Sequence, residues 1–189
     1  MSQPSIRELL KGHEECLSQL KLPNSKKRMR AIVEIKKVIQ KKIAQVSTSS
    51  ARDLLEPLSL LMRQLLKDDN NEVYLESLNL LKFIVASLAP HLTALDLHLM
   101  MGSFIGVIVN NTVTGTMRIR MASDKVIIFF AKNNNIGSFI VAKEVLKNIE
   151  RINKLVVQPT MSKKEIEEEI EQRKQVLVRH YGILQMLVQ

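Results

Sequence analysis

The sequence predicts an all-α protein, an α-solenoid of about four HEAT-type antiparallel helix pairs. Three observations lead there: the chain's punctuation, its side-chain palette and its period. Six Gly and five Pro in 189 residues are too few for a many-stranded β protein, which needs a turn residue about every 8–12 positions. Aromatic residues make up only 4% and Trp is absent, whereas Leu, Ile, Val and Met are abundant, a palette suited to helix-on-helix packing. Turn signals near Pro23, Asp69, Thr114 and Pro159 recur at steps of about 45 residues, inside the range of HEAT and armadillo units. One helix pair cannot bury its own apolar face. Stacking successive pairs makes a continuous core and sets the connecting turns along one edge.

Each element follows from local chemistry. Ser5-Ile6-Arg7-Glu8 is a capping-box pattern, in which hydroxyl and carboxylate satisfy orphan amides of a first turn, and it opens a helix expected to reach about Lys21. Leu22-Pro23-Asn24-Ser25 stops that helix and starts another, on which Ile32, Ile35, Ile39, Ile43 and Val46 make one apolar stripe. Ser47-Thr48-Ser49-Ser50 ends the unit. The second unit runs from near Ala51, with Leu54, Leu58, Leu61 and Leu65 inward, through a turn at Asp68-Asp69-Asn70-Asn71. Its return helix starts at Glu72, buries Leu78, Leu81, Val85 and Leu88, and ends before Pro90.

The third unit extends from about Thr93 through Met100, Phe104 and Ile108 to a turn at Asn110–Thr116. Its return helix carries Ile119, Ala122, Val126 and Phe129/Phe130. The fourth starts near Gly137, uses Ile140, Val145 and Ile149, and turns around Gln158-Pro159-Thr160. A second capping box, Ser162-Lys163-Lys164-Glu165, opens a long last helix. Ile127-Ile128-Phe129-Phe130 and Val107-Ile108-Val109 have strand propensity, but no turn signal interrupts the helical spacing from Arg120 to Lys132, which makes that stretch helix. No linker divides the chain, so one domain over residues 1–189 is expected.

Nothing in the sequence supports catalysis or a cofactor. His13, His91, His98 and His180 lie in separate units without metal-ligand spacing, and no Gly-rich phosphate loop occurs. Cys16 is the lone cysteine, which excludes an internal disulfide and a thiolate metal cluster. Glu165, Glu167, Glu168, Glu169 and Glu171 crowd the start of the last helix, where carboxylates suit the helix dipole. The expectation is a binding protein, not an enzyme, with no catalytic or metal-ligating residue. The amino terminus lacks the apolar run of a signal peptide, and no uninterrupted apolar run reaches about 18 residues. A reducing, cytoplasmic compartment is expected.

The formal charge of +9 and isoelectric point near 9.7 point to an acidic partner. Much of the excess lies in Lys21, Lys26, Lys27, Arg28, Arg30, Lys36, Lys37, Lys41 and Lys42, against Glu34 alone. Two readings stand for this helix: a solvated face, or an electrostatic footprint. Arg118 and Arg120 follow the third turn, and Lys163-Lys164 follow the fourth. Cations at helix starts oppose the positive end of the dipole, so an anionic partner is one reason for them to be there.

Several stretches resemble TOG domains, the tubulin-binding HEAT arrays. Tyr74-Leu75-Glu76-Ser77-Leu78-Asn79-Leu80-Leu81, after Asp69-Asn70-Asn71-Glu72-Val73, resembles their second-repeat pattern. Met117-Arg118-Ile119-Arg120-Met121-Ala122-Ser123 and Ser25-Lys26-Lys27-Arg28-Met29-Arg30-Ala31-Ile32 resemble starts of their second helices. Phe129-Phe130-Ala131-Lys132 through Ile136-Gly137 and Val145-Leu146 is similar to the TOG domain of the ciliary-tip centrosomal protein group. The chain departs from many members in having Ser25 where they place a Trp, and in having fewer repeats.

The resemblance implies a paddle whose thin edge of intra-repeat turns lies against tubulin or a microtubule. The contact residues it implies are Ser25, Lys26 and Lys27, then Asn70, Asn71 and Val73, then Thr116, Arg118 and Arg120, and finally Lys163 and Lys164. It also implies a cytoskeletal location in a cilium or centrosome, with other ciliary or centrosomal proteins as further partners. The alternative is a general α-solenoid adaptor that holds a peptide or helix of another protein. Nucleic acid and membrane are not expected as partners, since the basic helix has no aromatic stacking platform and no base-reading motif.

Overall fold

A computed structural model describes residues 5–102, 104–153 and 162–188. Among these residues the chain is helical and contains no strand, the architecture of a HEAT-type α-solenoid. It forms two compact units, Met1–Phe104 and Ile105–Gln189.

The first unit opens with α1 (Ile6–Leu9) and α2 (Glu14–Gln19) in place of the one helix expected. The break is at Gly12, whose φ of 81° lies in the left-handed region that side chains resist. The Ser5 capping box is formed: Ser5 Oγ accepts from Glu8 N–H and the Glu8 carboxylate accepts from Ser5 N–H at 2.7 Å. After the Pro23 turn comes α3 (Ser25–Ile43), which buries Ala31, Ile32, Ile35, Val38, Ile39 and Ile43. Val46 lies beyond the helix and is half-buried.

Ser47 does more than end a unit. It caps a further turn, α4 (Thr48–Ala51), which leads through a 3-10 turn into α5 (Leu55–Leu65). On α5, Leu58, Leu61 and Leu65 are buried as the stripe predicts, whereas Leu54 precedes the helix and is half-buried.

The return helix α6 (Asn71–Leu88) buries Leu78, Leu81, Val85 and Leu88. The stretch Asn71–His91 is long and apolar enough by composition to cross a membrane. Here it is the core helix of the unit, packed on α3 and α5. Thr93 forms a capping box with Asp96 at the head of α7 (Ala94–Met101), which packs on α5.

The second unit contains α8 (Ile105–Thr114), α9 (Met117–Ala131), α10 (Gly137–Asn153) and α11 (Lys163–Val188). The Thr93–Ile108 stretch, expected to be continuous, is divided between α7 and α8, with Gly102 at the end of α7. The third turn is shorter than expected, because α8 continues to Thr114 and only Gly115 and Thr116 separate it from α9. Gly115 is required there: a Cβ would collide with the Ile119 side chain and stand 2.9 Å from the Asn111 carbonyl oxygen. Ile127, Phe129 and Phe130 are helical, as are Val107, Ile108 and Val109. Helix α10 packs on α8, α9 and α11, with Ile140, Val145 and Ile149 buried. The turn at Gln158-Pro159-Thr160 lies outside the described residues, as do the Lys163 and Glu165 side chains of the second capping box.

Candidate functional site

Within the first unit, the first two intra-repeat turns are built alike. Asn24 is the N-cap of α3, its side-chain oxygen accepting from Lys26 N–H at 3.0 Å and Lys27 N–H at 3.3 Å. Asn70 does the same for α6, accepting from Glu72 N–H at 3.1 Å and Val73 N–H at 3.2 Å. An Asn before an apolar helix suits this position, because its short carboxamide reaches the orphan amides of the first turn.

A guanidinium ties the two turns together. Arg28 Nε and Nη2 donate to the two Asp68 carboxylate oxygens at 2.8 and 2.9 Å. Its Nη1 donates to the Leu22 and Pro23 carbonyls, each at 2.8 Å. Asp68 Oδ1 also accepts from Asn70 N–H at 2.9 Å. One planar fork thus holds the backbone of the first turn and the carboxylate of the second, a geometry that Lys could not reproduce. Both side chains are only 15% exposed. Asp68 is therefore neutralised inside the turn and presents no bare negative charge to a partner.

Around this clamp the expected site residues divide. Lys26 and Lys27 are exposed, and Ser25 is half-buried at the first position of α3. Asn71 is exposed, whereas the oxygen of Asn70 is occupied by capping. Val73 is fully buried and faces the core, not the edge. It follows Asn70 by three residues, the position where an amphipathic helix turns its first apolar side chain inward.

In the second unit, Thr116 precedes α9 and is exposed, with no side-chain cap bond. Arg118 and Arg120 are exposed, and Arg120 Nε donates to the Gly115 carbonyl at 2.7 Å. Arg120, Thr114 and Val113 line a depression opposite Gln172, Gln175 and Arg179 of α11. Lys164 is exposed, 3.8 Å from Glu168, and the Lys163 side chain is outside the described set.

Groups of three or more His, Cys, Asp or Glu placed to hold a metal are absent among the described residues. Burial, followed by the neighbouring Glu34 and Glu15, pushes the Cys16 thiol up, away from a reactive thiolate. His180 is buried on α11 with Nδ1 2.8 Å from the Val176 carbonyl oxygen.

Sequence reasoning missed the Arg28–Asp68 clamp and read Asp68 as plain turn acid. A signal was present. Arg28 and Asp68 are 40 residues apart, and Arg52 and Asp96, which pair at 3.1 Å, are 44 apart. Both spacings approximate one repeat, so opposite charges one period apart mark rungs between successive repeats.

Paired helices joined by short capped turns make an α-solenoid of HEAT type, and two solved structures share this fold. The TOG domain of human Cep104 superposes with a TM-score of 0.67 at 17% identity, covering 97% of this chain and 64% of that one. A second Cep104 TOG domain structure gives a TM-score of 0.60, also at 17% identity, over 94% of this chain and 79% of that one. The chain has their fold and spans about two thirds of the first neighbour's length. No protein-family model and no curated protein sequence matches it.

Proposed function

We propose that residues 1–189 act as one non-catalytic binding module that uses its intra-repeat turns to bind tubulin or microtubules. The observation that carries the reading is the first turn, where Lys26 and Lys27 stand exposed on a backbone held by Asn24 and by the Arg28 clamp. A turn backbone already held in place needs no further ordering when its cations bind, which favours a specific contact over a diffuse attraction. Asn71, Thr116, Arg118 and Arg120 are further exposed turn residues, with Lys163 and Lys164 at the head of α11. Ser25 and Asn70 shape the turns, and Val73 supports the second from within. The shared fold with the Cep104 TOG domain supports the tubulin reading and a cytoskeletal setting, in a cilium or centrosome.

Co-sedimentation with microtubules and gel filtration with free tubulin test this. Association is expected, and it should weaken as salt rises, because steering by surface charge is screened. Lys26→Glu with Lys27→Glu should abolish it with the helical circular dichroism unchanged. Lys125→Glu with Lys132→Glu, an equal charge change at exposed sites on and just after α9, should leave it intact. No association in either format, or equal loss in both variants, makes the adaptor reading the better one.

A further inference from the structure

The outer face of α3 carries more positive charge than the first turn uses. By helical geometry Lys26, Arg30, Lys37 and Lys41 fall within about 60° of one another around the axis and span about 22 Å along it. All four are exposed. Lys36 points elsewhere, its Nζ lying 5.3 Å from the centroid of the Phe83 ring. Glu34 is the one acidic residue of α3, and Lys37 holds it at 2.7 Å. Beside the first half of the stripe lies a shallow depression lined by Lys26, Met29, Arg30, Val33 and Glu34 of α3 and by Glu76 of α6.

We propose that this stripe docks an extended acidic peptide of about six or seven residues, running along Lys26, Arg30, Lys37 and Lys41. The length follows from about 3.3 Å per extended residue along the stripe. Alternate side chains of an extended chain fall on one side, about 6.6 Å apart. The Lys26–Arg30 and Lys37–Lys41 steps are each about 6 Å along the helix. Carboxylates two residues apart therefore match the spacing within each pair of cations, and a step of about 10 Å from Arg30 to Lys37 separates the two pairs. Glu76 of α6, which lines the depression, repels such a chain and confines it to the α3 side.

Nucleic acid fits less well, because the stripe offers no exposed aromatic ring on which bases could stack. A membrane surface fits less well too. The apolar side of α3 is already buried in the core, and Val33, 41% exposed, is its exposed large aliphatic residue.

This inference does not depend on the tubulin reading, and its test uses different residues. A fluorescein-labelled octaglutamate is titrated with the full 189-residue chain and followed by anisotropy. Binding is expected, weakening at least about tenfold between about 50 mM and about 200 mM salt. Lys37→Glu with Lys41→Glu should weaken it at least tenfold again, and Lys37→Gln with Lys41→Gln by an intermediate factor. The Lys125→Glu, Lys132→Glu chain should bind like the parent. Absent binding, or equal loss in the α3 and α9 variants, overturns the proposal. So does tighter binding of a thymidine oligonucleotide of equal charge, or of phosphatidylserine vesicles, lost in the same α3 variants. Octaglutamate binding lost in Lys37→Glu with Lys41→Glu while tubulin association persists would separate the two readings.

Discussion

Arg28 shows how one side chain can set the geometry of a surface it does not itself present. Four of its five N–H donors are engaged, two on Asp68 and two on carbonyls of the Pro23 turn. Truncation leaves a largely buried carboxylate and two carbonyls without their donor, so the loss is one of satisfaction more than of attraction. Arg28→Ala should cost about 1–3 kcal/mol by urea unfolding. Asp68→Asn should cost less, since the amide oxygen still accepts while its own NH2 faces a donor. The double variant should be less destabilised than the sum of the two, the signature of a coupled pair. Strict additivity would mean that the clamp does not operate in solution. Neither residue was legible as a partner from its own neighbourhood. Arg28 reads as one of many cations on a basic helix, and only the repeat spacing singles it out.

At the level of elements, the sequence stripes were reliable wherever packing alone decides orientation. Leu58, Leu78, Leu81, Val126 and Val145 are all buried, and each was placed inward by three-and-four spacing. Leu81, on α6 between α3 and α5, is fully enclosed, so Leu81→Ala should cost about 2–5 kcal/mol in the same unfolding assay. A loss below about 0.5 kcal/mol would mean that the helix repacks around the gap. Stripes were less reliable at ends and breaks. Gly12 divides what reads as one amphipathic helix, and Ser47, read as a stop, caps another turn. Val73 was misplaced for a related reason. Its position beside a turn suggested the edge, but the third residue after an N-cap already belongs to the buried face.

For the whole molecule, the two units carry aspartates that respond oppositely to acid. The Thr93 hydroxyl, with Thr93 N–H and Arg52, holds Asp96 of the first unit below the usual carboxylate range. Its stabilisation is present above the unfolded-state value and is lost as pH falls through the lower folded value. In the second unit, burial pushes Asp124 up despite its pairing with Arg179. The folded chain then binds the proton more tightly, so stability falls as pH rises between the ordinary aspartate value and the raised one. Urea melts at about pH 3.5 and about pH 6.5 check both signs. The stability gap between parent and Asp96→Asn should shrink in acid, whereas parent stability relative to Asp124→Asn should increase. Gaps that move in the same direction would contradict one assignment. Composition fixed neither sign, because both residues read as ordinary helix acids until their neighbours are known.

The 40-residue separation of Arg28 and Asp68 also sets an order of events when the chain is made. Synthesis runs from the amino end, so the Pro23 turn leaves the ribosome well before the carboxylate that completes it. Until Asp68 emerges and the second pair doubles back, the Nε and Nη2 donors of Arg28 must use water as their partner. Closing that loop has an entropic cost that local contacts alone cannot offset. The first turn therefore matures with the second, and a pause or truncation between them leaves its lysines on a backbone that is not yet rigid.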